Sequence, residues 1–141
     1  MILYLDTYAL VKLYVSELHT GDVRNWVRDA EAVATSIVSY AETRAAFGRA
    51  RREGSSTDAE HRRRVSQFNR DWVELMRIEL TPLVARNAGE LADLHALRGF
   101  DAIHLASALW LRDRADEAFL FAAFDRRLCE GAAAVGLRVA V

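Results

Sequence analysis

Ile2-Leu3-Tyr4-Leu5-Asp6 opens the chain with four apolar, β-compatible residues and stops on an aspartate. So short a run, with no polar alternation, reads as a strand buried on both faces, the kind that parallel sheets use. The next segment is helical. Leu10, Leu13 and Tyr14 recur at i, i+3 and i+4 between Ala9 and Ser16, and a second helix is expected around Asp22 to Ala30. Ala32 to Thr35 is the next strand. Ser36 or Ser39 then caps a long helix reaching about Glu53, with Ser39 and Glu42 at the S-x-x-E spacing of a capping box and Gly54 suited to the stop.

Thr57 starts another helix that extends to about Met76. Ile78-Glu79-Leu80 is a weak strand ended by Thr81-Pro82. Helical pattern resumes from Val84 to Leu97 and breaks at Gly99. Asp101 to Arg112 is helical and nearly apolar all round, which predicts a central, buried helix. Phe119 to Ala123 is the strongest strand, Asp125 to Ala134 a short helix, and Leu137 to Val141 a final strand. Strands separated by helices of this length imply right-handed crossovers. The expected fold is α/β, a three-layer α/β/α sandwich around a mostly parallel sheet.

The 141 residues suit a single domain spanning 1–141. With 52% hydrophobic residues and one Pro, the composition excludes disordered and collagen-like classes. The longest near-apolar stretch, Ala102 to Leu111, is about half of what a membrane span needs and is interrupted by His104 and Ser107, so no membrane role is expected. The N-terminal run has no basic residue before it and does not read as a secretory signal. Cys129 is the only cysteine, so neither an intrachain disulfide nor a Cys-based zinc site can form, and a reducing, cytoplasmic address fits.

The net charge of −1 hides an asymmetry: eight arginines stand against three acids between Arg44 and Arg70. Planar guanidinium groups in such a stretch suit phosphate contacts, although a solvated helical face gives the same pattern. In an open parallel sheet, ligands bind beyond the carboxyl ends of the strands. Four carboxylates are delivered to that edge. Asp6 comes directly after the first strand, Asp125 after the strongest one, Asp101 opens the apolar helix, and Glu42 lies in the first turns of the helix after the second strand.

Any one of them is also what a helix N-terminus favours. Together they repel one another and call for a cation. Oxygen-only ligands select hard divalent ions, Mg²⁺ or Mn²⁺, which activate water and steady the leaving oxygen in phosphodiester hydrolysis. Other chemistries lack their residues. The four histidines show no zinc-ligand spacing, and His104, at i+3 from Asp101, is expected to be a packed, hydrogen-bonded histidine. No nucleotide-binding glycine loop comes after the first strand. A phosphoacceptor site is disfavoured because Tyr8 stands two residues after Asp6 and Lys12 is the only lysine.

Leu5-Asp6-Thr7-Tyr8-Ala9-Leu10-Val11-Lys12-Leu13-Tyr14, Phe100-Asp101-Ala102-Ile103-His104-Leu105-Ala106-Ser107-Ala108 and Phe124-Asp125-Arg126-Arg127-Leu128 resemble, in this order, the three motifs of the PIN-domain ribonucleases of VapC type. Ser39-Tyr40-Ala41-Glu42 stands in the place of that family's internal glutamate. The resemblance implies a Mg²⁺- or Mn²⁺-dependent endoribonuclease, the toxin of a type II toxin–antitoxin pair, with Asp6, Glu42, Asp101 and Asp125 as metal-holding catalytic residues. It implies RNA as substrate, a cognate VapB-type antitoxin and a homodimer. An anionic cleft of this kind also admits a guanidinium, which suggests how a partner would block it. Two positions depart from the family pattern: Tyr8, where Ser or Asn is usual, and Ala123, where Thr or Ser is usual. These departures motivate the alternative of a catalytically silent PIN-fold module that only binds a protein.

Overall fold

In the computed structural model, which describes residues 1–140, the opening strand β1 (Ile2–Leu5) lies inside the sheet. It pairs in parallel with β2 (Ala32–Ser36) on one side and β4 (Phe119–Ala122) on the other, and β3 (Met76–Ile78) adds to the outer edge of β2. The order is therefore β3-β2-β1-β4, and every pairing is parallel. All four residues of β1 are buried, as a strand covered on both faces requires.

Alternate side chains of β1 feed two cores. Ile2 and Tyr4 pack with Leu105, Ala108 and Leu111 of α6 (Gly99–Arg112) and with Leu128 and Ala132 of α7 (Arg126–Ala134). Leu3 and Leu5 pack with Leu10 of α1 (Thr7–Val11), Val23 of α2 (Thr20–Asp29), Phe47 of α3 (Ser39–Arg52) and Phe68 of α4 (Asp58–Trp72). α5 (Pro82–His95) packs along α6, sharing Val84, Ala88, Ala102 and Ala106. This is the expected three-layer α/β/α sandwich. No helix among the described residues is long and apolar enough to cross a membrane.

The local departures have physical reasons. α1 starts at Thr7 rather than Ala9 because Asp6 is its N-cap, accepting the Ala9 N–H at 2.8 Å. The capping box expected at Ser39 and Glu42 does not form. Val38 enters α3 without a side-chain cap, and the Ser39 hydroxyl bonds Thr35 at 2.7 Å instead. A capping box does form one helix later, between Thr57 and Glu60. β3 lies two residues before the expected Ile78-Glu79-Leu80 run, with only Ile78 buried. The break before α6 falls at Ala96, in the left-handed region at φ 53°, and Gly99 opens the next helix. The expected last strand, Leu137 to Val141, is a single parallel bridge between Val139 and Phe121; Val141 lies outside the described residues.

Candidate active site

A parallel sheet puts every strand's carboxyl end on one rim, and the acids stand at that rim. Asp6 comes immediately after β1, and its backbone N–H donates to Ala122 O at the end of β4 (3.1 Å). Its side chain caps α1, so the carboxylate is fixed and only 1% exposed. Burial is the largest influence on it and pushes its pKa from 3.8 to about 6. The negative charges of Asp101 and Glu42 push the same way, while His104 and the Ala9 N–H pull against them. Asp6 is thus within electrostatic reach of acids on α3 and α6.

Glu42 is held from one side. The Thr7 hydroxyl donates to its Oε1, and His104 Nε2 meets the same oxygen at 3.1 Å. Oε2 has no partner among the described residues. Burial raises the Glu42 pKa, but the bonds from His104 and Thr7 outweigh it and hold the carboxyl below its ordinary value. Behind this pair runs a buried polar chain. Thr7 Oγ1 lies 3.2 Å from Ser39 Oγ, Ser39 Oγ 2.7 Å from Thr35 Oγ1, and Thr35 donates to Leu5 O at 2.7 Å. On the other side, His104 Nδ1 lies 3.0 Å from the Tyr4 hydroxyl. A nitrogen facing a carboxylate oxygen carries the proton, so Nε2 donates and Nδ1 accepts from Tyr4. Burial pushes the Tyr4 phenol well above its ordinary value, which keeps it a donor.

The other two acids are bridged by a guanidinium. Arg98 Nε donates to Asp101 Oδ2 at 3.1 Å, and Arg98 Nη2 stands 3.6 Å from Asp125 Oδ2. Asp125 itself caps α7 through the Leu128 N–H at 3.0 Å. Arg98, Asp101 and Asp125 line a cavity of about 340 Å³ together with Arg126 and Arg127. Glu42 lies on a second cleft, of about 510 Å³, with Thr7, Tyr8, Arg49 and Arg52.

The four expected acids therefore share one rim, yet among the described residues no three of His, Cys, Asp and Glu are gathered into a ready cation-holding cluster. Arg98 occupies the space between two of them. The donor set is nevertheless oxygen-only and over-charged. Arg98 is paired with Asp101 and Asp125, His104 meets Glu42, and Asp6, the most buried of the four, ionises less readily than in water. That balance fits a hard divalent cation.

Several participants escape a reading of the sequence. His104 is the packed, hydrogen-bonded histidine expected, 2% exposed, but it also grips Glu42. Thr7 supplies a hydroxyl to Glu42, and Tyr8, where the family pattern has Ser or Asn, faces solvent. The only sequence signal for Arg98 is its i,i+3 spacing from Asp101. Ala123 is buried and offers Cys129 only its carbonyl. The basic stretch divides: Arg49 and Arg52 border the Glu42 cleft, whereas Arg63 and Arg64 face a separate one with Arg24.

The family model described as PIN domain matches residues 3–134. Ribonuclease VapC45 of Mycobacterium tuberculosis (strain CDC 1551 / Oshkosh) is 38% identical over 143 residues, covering 99% of this chain and 94% of the relative. Among solved structures, PAE2754 from Pyrobaculum aerophilum superposes with a TM-score of 0.69 at 19% identity, over 99% of this chain and 92% of that one. A toxin–antitoxin complex from Klebsiella pneumoniae superposes with a TM-score of 0.59 at 18% identity, over 87% of this chain and 86% of that one. At such identities the two structures speak for the fold.

Proposed function

Since the chain belongs to the PIN-domain family, on its VapC branch, we propose that it is a divalent-metal-dependent endoribonuclease and the toxin half of a type II toxin–antitoxin pair. The observation that carries the proposal is Asp6, a buried carboxylate within electrostatic reach of two other acids, where ionisation costs more than in water and a cation would offset that cost. The curated relative's name, a ribonuclease, points to RNA. The neighbouring toxin–antitoxin complex points to a small antitoxin as partner. A homodimer acting in the cytoplasm completes the proposal.

Asp6 and Asp101 are the direct ligands in this reading. Glu42 and Asp125 complete the set, either directly or through water. When bound, Mg²⁺ or Mn²⁺ supplies Lewis acidity, lowering the pKa of water and screening charge on the phosphoryl oxygens. The protein's own residues do the rest. Thr7 and His104 fix Glu42 by one oxygen and leave Oε2 without a partner among the described residues. Such outer hydrogen bonds orient ligands and raise affinity. Arg98 would compete with a bound cation for Asp101 and Asp125, and its exposed guanidinium stands where it could pair with a phosphate instead. Arg49 and Arg52 border the Glu42 cleft, and in this reading they contact phosphate without reading bases.

The test is to map RNA ends after incubation with Mn²⁺, with and without chelator, for the wild type and Asp101→Asn. Cleavage leaving 5′-phosphate and 3′-hydroxyl ends is expected, abolished by chelator and by the substitution. Cutting that survives both treatments, or no cutting by the wild type, overturns the proposal.

A further inference from the structure

Tyr8 is the residue of α1 that the fold does not use. Thr7, Ala9, Leu10 and Val11 are all buried, while Tyr8 is 60% exposed. The other three tyrosines are engaged. Tyr4 bonds His104 and stacks on Phe121, Tyr14 bonds Asp71, and Tyr40 bonds Asn69 and stacks on Phe68. Among the described residues Tyr8 has neither a hydrogen bond nor an aromatic contact. One exposed aromatic ring is ordinary in itself. Its position is not, because it stands two residues from Asp6 and on the cleft that Glu42 and Arg49 line.

Tyr8 also forms a wall of the 510 Å³ cleft between α1 and α3. Across that cleft, α3 presents Glu42, then Ala45 and Ala46, then Arg49. These residues share one helix face at i, i+3, i+4 and i+7, and the ends are about 10 Å apart along the axis. The cleft is acidic at the catalytic end and small and apolar in the middle, and at the far end Arg49 and Arg52 stand beside Glu53 and a Glu17 already paired with Lys12. A nucleotide has a matching layout, with a flat base and charged phosphates. Arg49 is held only by an exposed pair to Glu53 at 3.0 Å and can exchange that partner for a phosphate.

We propose that this cleft takes one nucleotide of single-stranded RNA next to the scissile bond, with its base stacked on the Tyr8 ring and its phosphate on Arg49. The proposal rests on the nuclease reading and adds a substrate-contacting residue to it. Stacking on an aromatic side chain tolerates any base, so Tyr8 supplies affinity and register rather than sequence choice.

The experiment uses an Asp101→Asn background, which silences cleavage, and a short fluorescent single-stranded RNA read by anisotropy. Tyr8→Ala is expected to lose affinity by about tenfold, while Tyr8→Phe and Tyr8→Trp keep it. In a series of RNAs carrying 2-aminopurine at successive positions, one position is quenched by the protein, and Tyr8→Ala abolishes that quenching. Removing the base at that position costs the Tyr8 protein its advantage and costs Tyr8→Ala nothing further. Unchanged affinity in Tyr8→Ala overturns the proposal, as does a loss that persists with the base-less RNA. If the wild type cuts RNA and Tyr8→Ala changes neither binding nor quenching, only the platform is refuted. A Tyr8→Ala protein that binds RNA normally but loses a co-expressed protein partner overturns it in favour of a protein interface. If the wild type does not cut RNA, both readings fall.

Discussion

Asp6→Asn should make the metal-free protein more stable, and by an amount that depends on pH. The carboxylate is buried and its pKa stands at about 6 in the fold against 3.8 as the ordinary value. At about 1.4 kcal/mol per pH unit, ionising it in place costs about 3 kcal/mol. A raised folded-state pKa sets the sign. The group's contribution to stability is fully present below pH 3.8 and is lost as pH rises through about 6. Asparagine carries no charge and still caps α1 by accepting the Ala9 N–H.

Urea unfolding of both proteins in chelator, from pH 4.5 to 8, should therefore show a small difference at the acid end. The difference grows to about 3 kcal/mol in favour of Asp6→Asn at the alkaline end, or about 10 °C in Tm for a chain of this size. In both proteins the bonds from His104 and Thr7 hold the Glu42 carboxyl below its ordinary range. Excess Mn²⁺ should reverse the ranking. At about a thousand times Kd it adds about 4.1 kcal/mol to the wild type and nothing to the variant. A pH-independent difference, or a variant less stable than the wild type at pH 8, would refute the claim that Asp6 is a strained anion awaiting a cation.

Two other substitutions probe the rim and the core. Arg98→Ala removes the guanidinium that spans Asp101 and Asp125, so calorimetric titration should find Mn²⁺ bound several-fold more tightly. Weaker binding would mean that Arg98 supports the ion site instead of filling it. Phe68→Ala empties the centre of an aromatic cluster formed with Tyr14, Tyr40, Phe47 and Trp72. It should cost about 4 kcal/mol in urea unfolding; a loss under about 1 kcal/mol would show that α4 is only loosely docked.

The backbone plan was legible because it depends on signals that act locally. Ile2 to Leu5 and Phe119 to Ala122 could only be buried strands, and helices between them force a parallel sheet. Once the strands are parallel their carboxyl ends share a rim, and Asp6, Glu42, Asp101 and Asp125 come there without further information. What stayed illegible was each polar side chain's choice between a local and a distant partner of similar strength. Ser39 illustrates it. A cap and a tertiary hydroxyl bond are each worth about 1 kcal/mol, so the S-x-x-E spacing could not exclude the pairing with Thr35 that wins. Ile78-Glu79-Leu80 failed for a related reason, since an edge strand with one buried residue carries almost no hydrophobic pattern.

Arg98 is the sharpest case. Its i,i+3 spacing from Asp101 is a weak local signal, and nothing local points to Asp125, which arrives from another strand end. The rim is therefore set by topology, whereas its occupant is set by one exposed side chain, 67% accessible and free to turn away. A charge that mobile is a replaceable counter-ion. Three acids fixed by caps, by Thr7 and by His104, beside an Asp101 whose side chain bonds only Arg98 among the described residues, make an arrangement that a more strongly bound cation can take over.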